Sequence, residues 1–169
     1  MFPIKLPKSA GTYVLVLYLP RCVSLRVGRT GVFAFHKGYY AYIGSAFGPG
    51  GLHARLRRHL VKEKRCRWHI DYLRAVAEPK EIWFTTRRSK REHVWANAFE
   101  TLRKNCVGVS GFGCSDCTCR THLFFFQSRP QSNLLRETRS LQKVKIIDDT
   151  PIDQPKSLST MDHRQSCSP

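Results

Sequence analysis

Residues 11–19, GTYVLVLYL, form an almost unbroken apolar run, the pattern of a central strand buried on both faces. Pro20 and Arg21 turn the chain. Two shorter apolar pieces, residues 23–27 and 32–35, flank Gly28-Arg29-Thr30-Gly31 and predict a hairpin. The stretch that organises the rest is residues 38–59, GYYAYIGSAFGPGGLHARLRRH. Tyr39, Tyr40, Tyr42 and Ile43 give it a β-prone first half, and Gly48-Pro49-Gly50-Gly51 forces a turn. A basic helix follows, with Leu52, Leu56 and Leu60 on one face and Arg55 and His59 bordering that face one turn apart.

Further along, residues 69–77 predict a second helix with Ile70, Leu73 and Val76 inward, stopped by Pro79; residues 81–86, EIWFTT, read as a strand. A third helix is expected from Ser89, where Ser89-Lys90-Arg91-Glu92 has capping-box spacing, with Val94, Trp95, Ala98, Phe99 and Leu102 as its apolar stripe. Residues 108–119 read as loop and 122–126, HLFFF, as a closing strand. Residues 127–169 turn to Ser, Gln, Pro and charge, which predicts a disordered polar tail in which only 144–147 can pair locally. The expected fold is α/β (α+β): one domain over residues 9–126, a small mixed β-sheet flanked by about three helices.

Charge narrows the function. The chain carries 29 Lys and Arg against 12 Asp and Glu, a net +17, and 22 of the basic residues but only seven of the acidic ones precede residue 127. A folded domain this basic suits a polyanion such as nucleic acid; the alternative is a merely soluble basic protein. No stretch has the length of a membrane span, and no helix pairs the basic face with a broad apolar one, so no membrane role is expected. The first residues lack a signal-peptide layout. Seven cysteines then read as thiols or metal ligands in a reducing, cytoplasmic setting.

Gly11-Thr12-Tyr13 and Tyr42-Ile43-Gly44, followed by Arg55 and His59 and by a glutamate on a later helix, resemble the GIY-YIG nuclease superfamily. The blocks YIGSAFGPGGLHARLRRH, WHIDYL (68–73) and GFGCSDCTCRTHLF (111–124) are similar to one largely uncharacterised prokaryotic branch, some of whose members are described as endonucleases. The resemblance covers roughly residues 9–126. One departure is that 28 residues separate Tyr13 from Tyr42, so that residues 23–35 look like an inserted hairpin.

The resemblance implies a divalent-metal-dependent endonuclease that hydrolyses DNA phosphodiesters, in repair or recombination. One helix-borne glutamate holds Mg²⁺ or Mn²⁺, Tyr13 or Tyr42 helps activate water, and Arg55 clamps the phosphate. Glu92 is the matching carboxylate: it falls at the edge of the apolar stripe and precedes Trp95-Ala96, whereas Glu100 points to solvent. Its bland alternative is the capping box with Ser89. Tyr13 and Tyr42 have ordinary sheet packing as their alternative, and which of them acts on water stays open. His59 contacts phosphate, orients a tyrosine or caps the core edge.

Three further features carry chemistry. Trp68 and Tyr72 form a packed pair or a stacking platform for an unpaired base, and Asp71 caps the second helix locally. Cys114, Cys117, Cys119 and His122 place four soft donors within nine residues, a candidate structural Zn²⁺ set that Cys106, His93 or Cys66 can also complete. The competing reading is a thiol-rich turn organised by Ser115 and Asp116. The functional alternatives are a non-catalytic nucleic-acid-binding module on the same fold and a zinc-stabilised adaptor for a protein partner.

Overall fold

The structure, a computed structural model, describes residues 5–102, 106–114, 117–135 and 140–146. In chain order its elements are β1 (Gly11–Leu19), β2 (Val23–Val27), β3 (Gly31–Phe35), β4 (Gly38–Ala46), α1 (Gly51–Leu60), α2 (His69–Val76), β5 (Glu78–Thr85), α3 (Glu92–Glu100), β6 (Val107–Gly108), β7 (Leu123–Phe126) and β8 (Gln142–Lys145). A 3₁₀ turn, Ser132–Leu134, lies between β7 and β8. The main sheet runs β6-β7-β4-β1-β5-β8, and β2-β3 forms a separate hairpin in the stretch between Tyr13 and Tyr42.

The apolar run of β1 is explained by its place. It pairs with β4 on one side and β5 on the other, and both faces are covered. Tyr13, Leu15, Leu17 and Leu19 point toward Leu52, Leu56 and Leu60 of α1, Ile70 and Leu73 of α2, and Val27 and Phe35 of the hairpin. Val14 and Val16 point the other way, into a second core with Trp83, Trp95, Phe99 and Phe124. The α+β architecture therefore stands, but the sheet is not mixed: every pairing among the described residues is antiparallel. A continuous apolar strand reports cover on both faces, and helices supply that cover here without parallel crossovers.

Four boundaries differ from the sequence reading. The third helix starts at Glu92 with Arg91 as its N-cap and no side-chain cap, so the Ser89 capping box is not formed. What anchors this helix start is long-range: the Arg91 N–H donates to Thr12 Oγ1 at 3.0 Å. The second helix stops at Val76, which is exposed rather than inward, and β5 begins three residues early and contains Pro79. Residues 107–108, expected at the edge of a loop, pair with β7 as β6.

Fourth, the domain does not end at residue 126. β8 adds to the β5 edge, Ile146 is buried in the first core, and Arg129 pairs with Glu81 at 3.2 Å. Two to four apolar side chains in a polar stretch are too few for periodicity to register, yet enough to occupy a waiting sheet edge. The remainder of the expected tail, 147–169, lies outside the described residues. Ile146→Ala should cost roughly 2–5 kcal/mol in urea unfolding, as for a core truncation, where a tail residue would cost nothing measurable.

Candidate functional site

Gly11-Thr12-Tyr13 and Tyr42-Ile43-Gly44 meet across the β1–β4 pairing, where Tyr13 lies opposite Gly44 and Leu15 opposite Tyr42. A Cβ at Gly44 would run into the Tyr13 hydroxyl, and one at Gly11 would run into the Thr85 carbonyl and the Leu52 side chain. Both glycines are thus required by close approach: Gly11 brings α1 and β5 tightly onto β1, and Gly44 clears room for a phenol. Thr12, between Gly11 and Tyr13, faces the opposite side and holds the start of α3.

Around that phenol the chain assembles a cleft of about 260 Å³, lined by Tyr13, Tyr42, Arg55, Arg67, Trp68, His69, Glu92 and His122 together with backbone of 43–45 and Gly113. Four of the five residues singled out for catalysis therefore share one cleft, although they come from β1, β4, α1 and α3. The Tyr13 and Tyr42 rings lie 6.5 Å apart. Arg55 stacks its guanidinium over Trp68, 4.2 Å from the ring centroid, with Arg58 also over that ring at 4.7 Å. Glu92 is largely buried, and its Oε2 has no hydrogen-bond partner. A desolvated carboxylate oxygen in a cleft otherwise lined by cations and phenols is a natural ligand for a hard cation. Glu100 takes no part in the cleft. It is not in open solvent either, since it is partly buried near Gly108 with Arg120 at 3.8 Å.

His59 is the fifth, and it stands behind the cleft rather than in it. Its ring is buried and its Nε2 lies 2.7 Å from the Tyr13 hydroxyl. Of its three readings, orienting a tyrosine is the one the geometry supports. Burial pushes the Tyr13 phenol well above its usual range, the neighbouring Tyr42 adds to this, and Arg55 opposes it. Burial likewise depresses His59, against the opposing pull of Asp71. Both groups are then neutral, and the phenol donates to an unprotonated Nε2.

Asp71 is the residue whose weight the sequence understated. Its carboxylate has no exposed side-chain surface. It accepts the N–H groups of Arg67 and Trp68 at 3.0 and 3.2 Å, which is the local cap expected of it. It also meets Arg58 at 2.9 Å and Lys64 at 3.1 Å, and the His59 Nδ1 at 3.9 Å. Burial alone would raise its pKa. The contacts with His59, the two amides and Lys64 outweigh that and hold it below the usual carboxylate range. Trp68 and Tyr72 do not form the expected pair: Trp68 packs on His59, 5.5 Å between centroids, while the Tyr72 hydroxyl approaches Gly28 of the hairpin turn. His69 bridges two loops, accepting the Gly113 N–H at Nδ1 and bonding Thr30 Oγ1 through Nε2.

Beside Glu92 lies a second cluster. Donor atoms of His93, Cys117, Cys119 and His122 all fall within 4.8 Å of one another, an arrangement that can hold a metal ion. The set expected from spacing is corrected at one place. His93, from α3, takes the position assigned to Cys114, whose thiol is directed at the Arg120 carbonyl, 3.5 Å away. Cys106 donates to the Phe99 carbonyl inside the second core. Burial and the neighbouring Cys117 push the Cys119 thiol up to about 11. Ser115 and Asp116 lie outside the described residues.

The fold and cleft define a class: a basic α+β domain with a polar, cation-lined cleft at the end of a two-sided sheet. Residues 12–144 match the family described as Domain of unknown function DUF123, and the chain belongs to that family. The match runs through most of β8. No curated protein and no solved structure matches the chain. Among the described residues no helix is long and apolar enough to cross a membrane.

Two measurements check this geometry. Gly44→Ala should cost about 1–3 kcal/mol by overpacking against Tyr13, read as a lower urea midpoint at unchanged m-value. The second is acid sensitivity. An imidazole held neutral in the folded chain is protonated in the unfolded one below about pH 6.5, so unfolding takes up a proton there and stability falls as pH drops. Asp71, depressed in the fold, adds a further loss once pH falls below about 3.9. His59→Gln, which keeps an acceptor for Tyr13 but does not titrate, should flatten the slope between about pH 6.5 and pH 5.

Proposed function

We propose that this protein is a divalent-metal-dependent endonuclease of GIY-YIG type that hydrolyses DNA phosphodiester bonds, in the service of repair or recombination. The observation that carries the reading is the convergence on one cleft of Tyr13, Tyr42, Arg55 and Glu92, whose Oε2 has no hydrogen-bond partner. Glu92 would hold Mg²⁺ or Mn²⁺, with water and phosphate oxygens completing the shell. Such an ion supplies charge stabilisation on the scissile phosphate. The soft cluster next to it would take Zn²⁺.

The chain's own groups then have definite tasks. Arg55, kept rigid by Trp68, binds a non-bridging phosphate oxygen and holds the substrate in line. Tyr13 is the better placed phenol for activating water, because His59 offers it an acceptor at 2.7 Å. As water attacks phosphorus, its proton passes to the Tyr13 oxygen and the Tyr13 proton to His59 Nε2. The new P–O bond forms as the bond to the leaving sugar oxygen breaks, and that oxygen keeps the bonding pair and takes up a proton from solvent. The imidazolium so produced is stabilised by the Asp71 carboxylate facing Nδ1. Tyr42, at the opposite wall, orients the attacked group. Arg67 at the cleft rim and the basic side of α1 favour approach of a polyanion.

Cleavage of plasmid, single-stranded and branched DNA with Mg²⁺ or Mn²⁺ tests the reading, with Glu92→Gln and Arg55→Ala beside wild type. Each variant should lose at least about 10²-fold in rate. Binding by wild type and Glu92→Gln should persist and weaken steeply with salt. Binding without cutting by any of the proteins would instead identify a nucleic-acid-binding module, and binding that ignores salt would point to an adaptor for a protein.

A further inference from the structure

The cluster formed by His93, Cys117, Cys119 and His122 joins two segments well separated in the chain: the first turn of α3 and the run leading into β7. Two of its edges are short, with His93 Nδ1 3.0 Å from Cys119 Sγ and His122 Nε2 3.2 Å from Cys117 Sγ. Bond lengths of about 2.3 Å to sulfur and about 2.0–2.1 Å to nitrogen place tetrahedral ligand atoms about 3.3–3.8 Å apart. These two pairs would open by about half an ångström to reach that spacing, and all four donor atoms lie within 4.8 Å of one another, so those still too far apart close by about 1 Å.

The outer contacts of both histidines are those of ligands. His122 Nδ1 lies 3.3 Å from the Ile43 carbonyl, so its N–H donates there and Nε2 presents a lone pair to the thiols. His93 turns Nδ1 to Cys119 and Nε2 toward the Glu92 carboxylate, 3.9 Å away. A protein acceptor behind each ligating ring is the usual means of fixing tautomer and orientation. The His93 side chain is half exposed, and its ring meets the His122 ring edge-on with 5.8 Å between centroids; a shared bond to metal is a reason for this pairing. Two thiolates with two imidazoles select a borderline-soft tetrahedral ion over Mg²⁺ or Ca²⁺.

We propose that these four residues bind one Zn²⁺, and that this ion clamps the start of α3 to the 117–122 segment, thereby setting the position of the adjacent Glu92. The binding part of this inference is independent of the nuclease reading. The clamp gives the cleft wall a fixed register: His93 is bonded on one side, the Arg91 amide on the other, and Glu92 is held between them.

The test uses the full chain, purified reduced and without a tag. Elemental analysis should give one zinc per chain, and X-ray absorption at the zinc edge should fit two sulfurs and two nitrogens. Cys114→Ser should keep the metal, and His93→Ala and Cys119→Ser should lose it. Chelation should raise amide exchange at residues 92–96 of wild type. Absence of stoichiometric zinc overturns the site. Three sulfurs, or zinc lost from Cys114→Ser, overturns the ligand set in favour of Cys114, and this holds even if His93→Ala does not fold. Unchanged exchange at 92–96 on zinc removal overturns the clamp. All of these readouts stand whether or not the protein cuts DNA.

Discussion

A phenol buried at the middle of a six-stranded sheet must have an acceptor, and the way this chain meets that need governs much of its first core. Tyr13 requires His59; His59, enclosed, turns its far nitrogen toward the Asp71 carboxylate 3.9 Å away; and Asp71, itself enclosed, requires cations and amides of its own. Each compensation recruits another element: α1 for His59 and Arg58, α2 for Asp71, the α1–α2 connection for Lys64, Arg67 and Trp68. The line of polar groups runs from the cleft floor to the back of the helices. The packing of α1 on α2 thus follows from one hydroxyl as much as from Leu56 and Leu73.

Much of this was legible in the chain. Period-2 and continuous apolar patterns located β1 through β4, and helical spacing located α1 and the middle of α3, because in these segments local preference and burial agree. Arg55, Tyr13, Tyr42 and Glu92 are grouped in the sequence only by the resemblance to the GIY-YIG nucleases; in the fold the β1–β4 pairing, α1 and α3 bring them to one cleft. The start of α3 departs from the capping-box expectation because its anchor is the Thr12 hydroxyl, 79 residues away in sequence, and local spacing cannot carry that information. β8 is legible only as a patch, 144–147, that can pair locally, for a similar reason: its few apolar residues mean little until β5 presents an edge. Asp71 was read as a cap because that part of its role is local, while its contacts with Lys64 and His59 depend on the loop between two helices. Cys114 was preferred to His93 because spacing along a chain favours neighbours, and the third dimension brings in a residue from another helix.

Glu92 and His93 are consecutive, yet one turns a hard oxygen into the cleft and the other a nitrogen toward thiols. Helical geometry rotates neighbouring side chains by about 100°, so a single helix start can serve two environments of opposite chemical character. The connection from Thr85 to Arg91 has little freedom in that arrangement, since it must deliver the Arg91 amide to Thr12 and the two following side chains to different neighbours.

The two rims of the sheet also differ in kind. On one side it ends in β6, two residues long; on the other it ends in β8, whose exposed Lys143 and Lys145 stand along the outermost strand. A very short border and a charged one are both poor templates for strand addition. The β5 edge, long, apolar and carrying Trp83 and Phe84, would be an adhesive surface if left open. By laying a lysine-bearing ribbon over it, residues 142–145 occupy the β5 edge and replace an apolar rim by a charged one, a poor template for pairing with another strand.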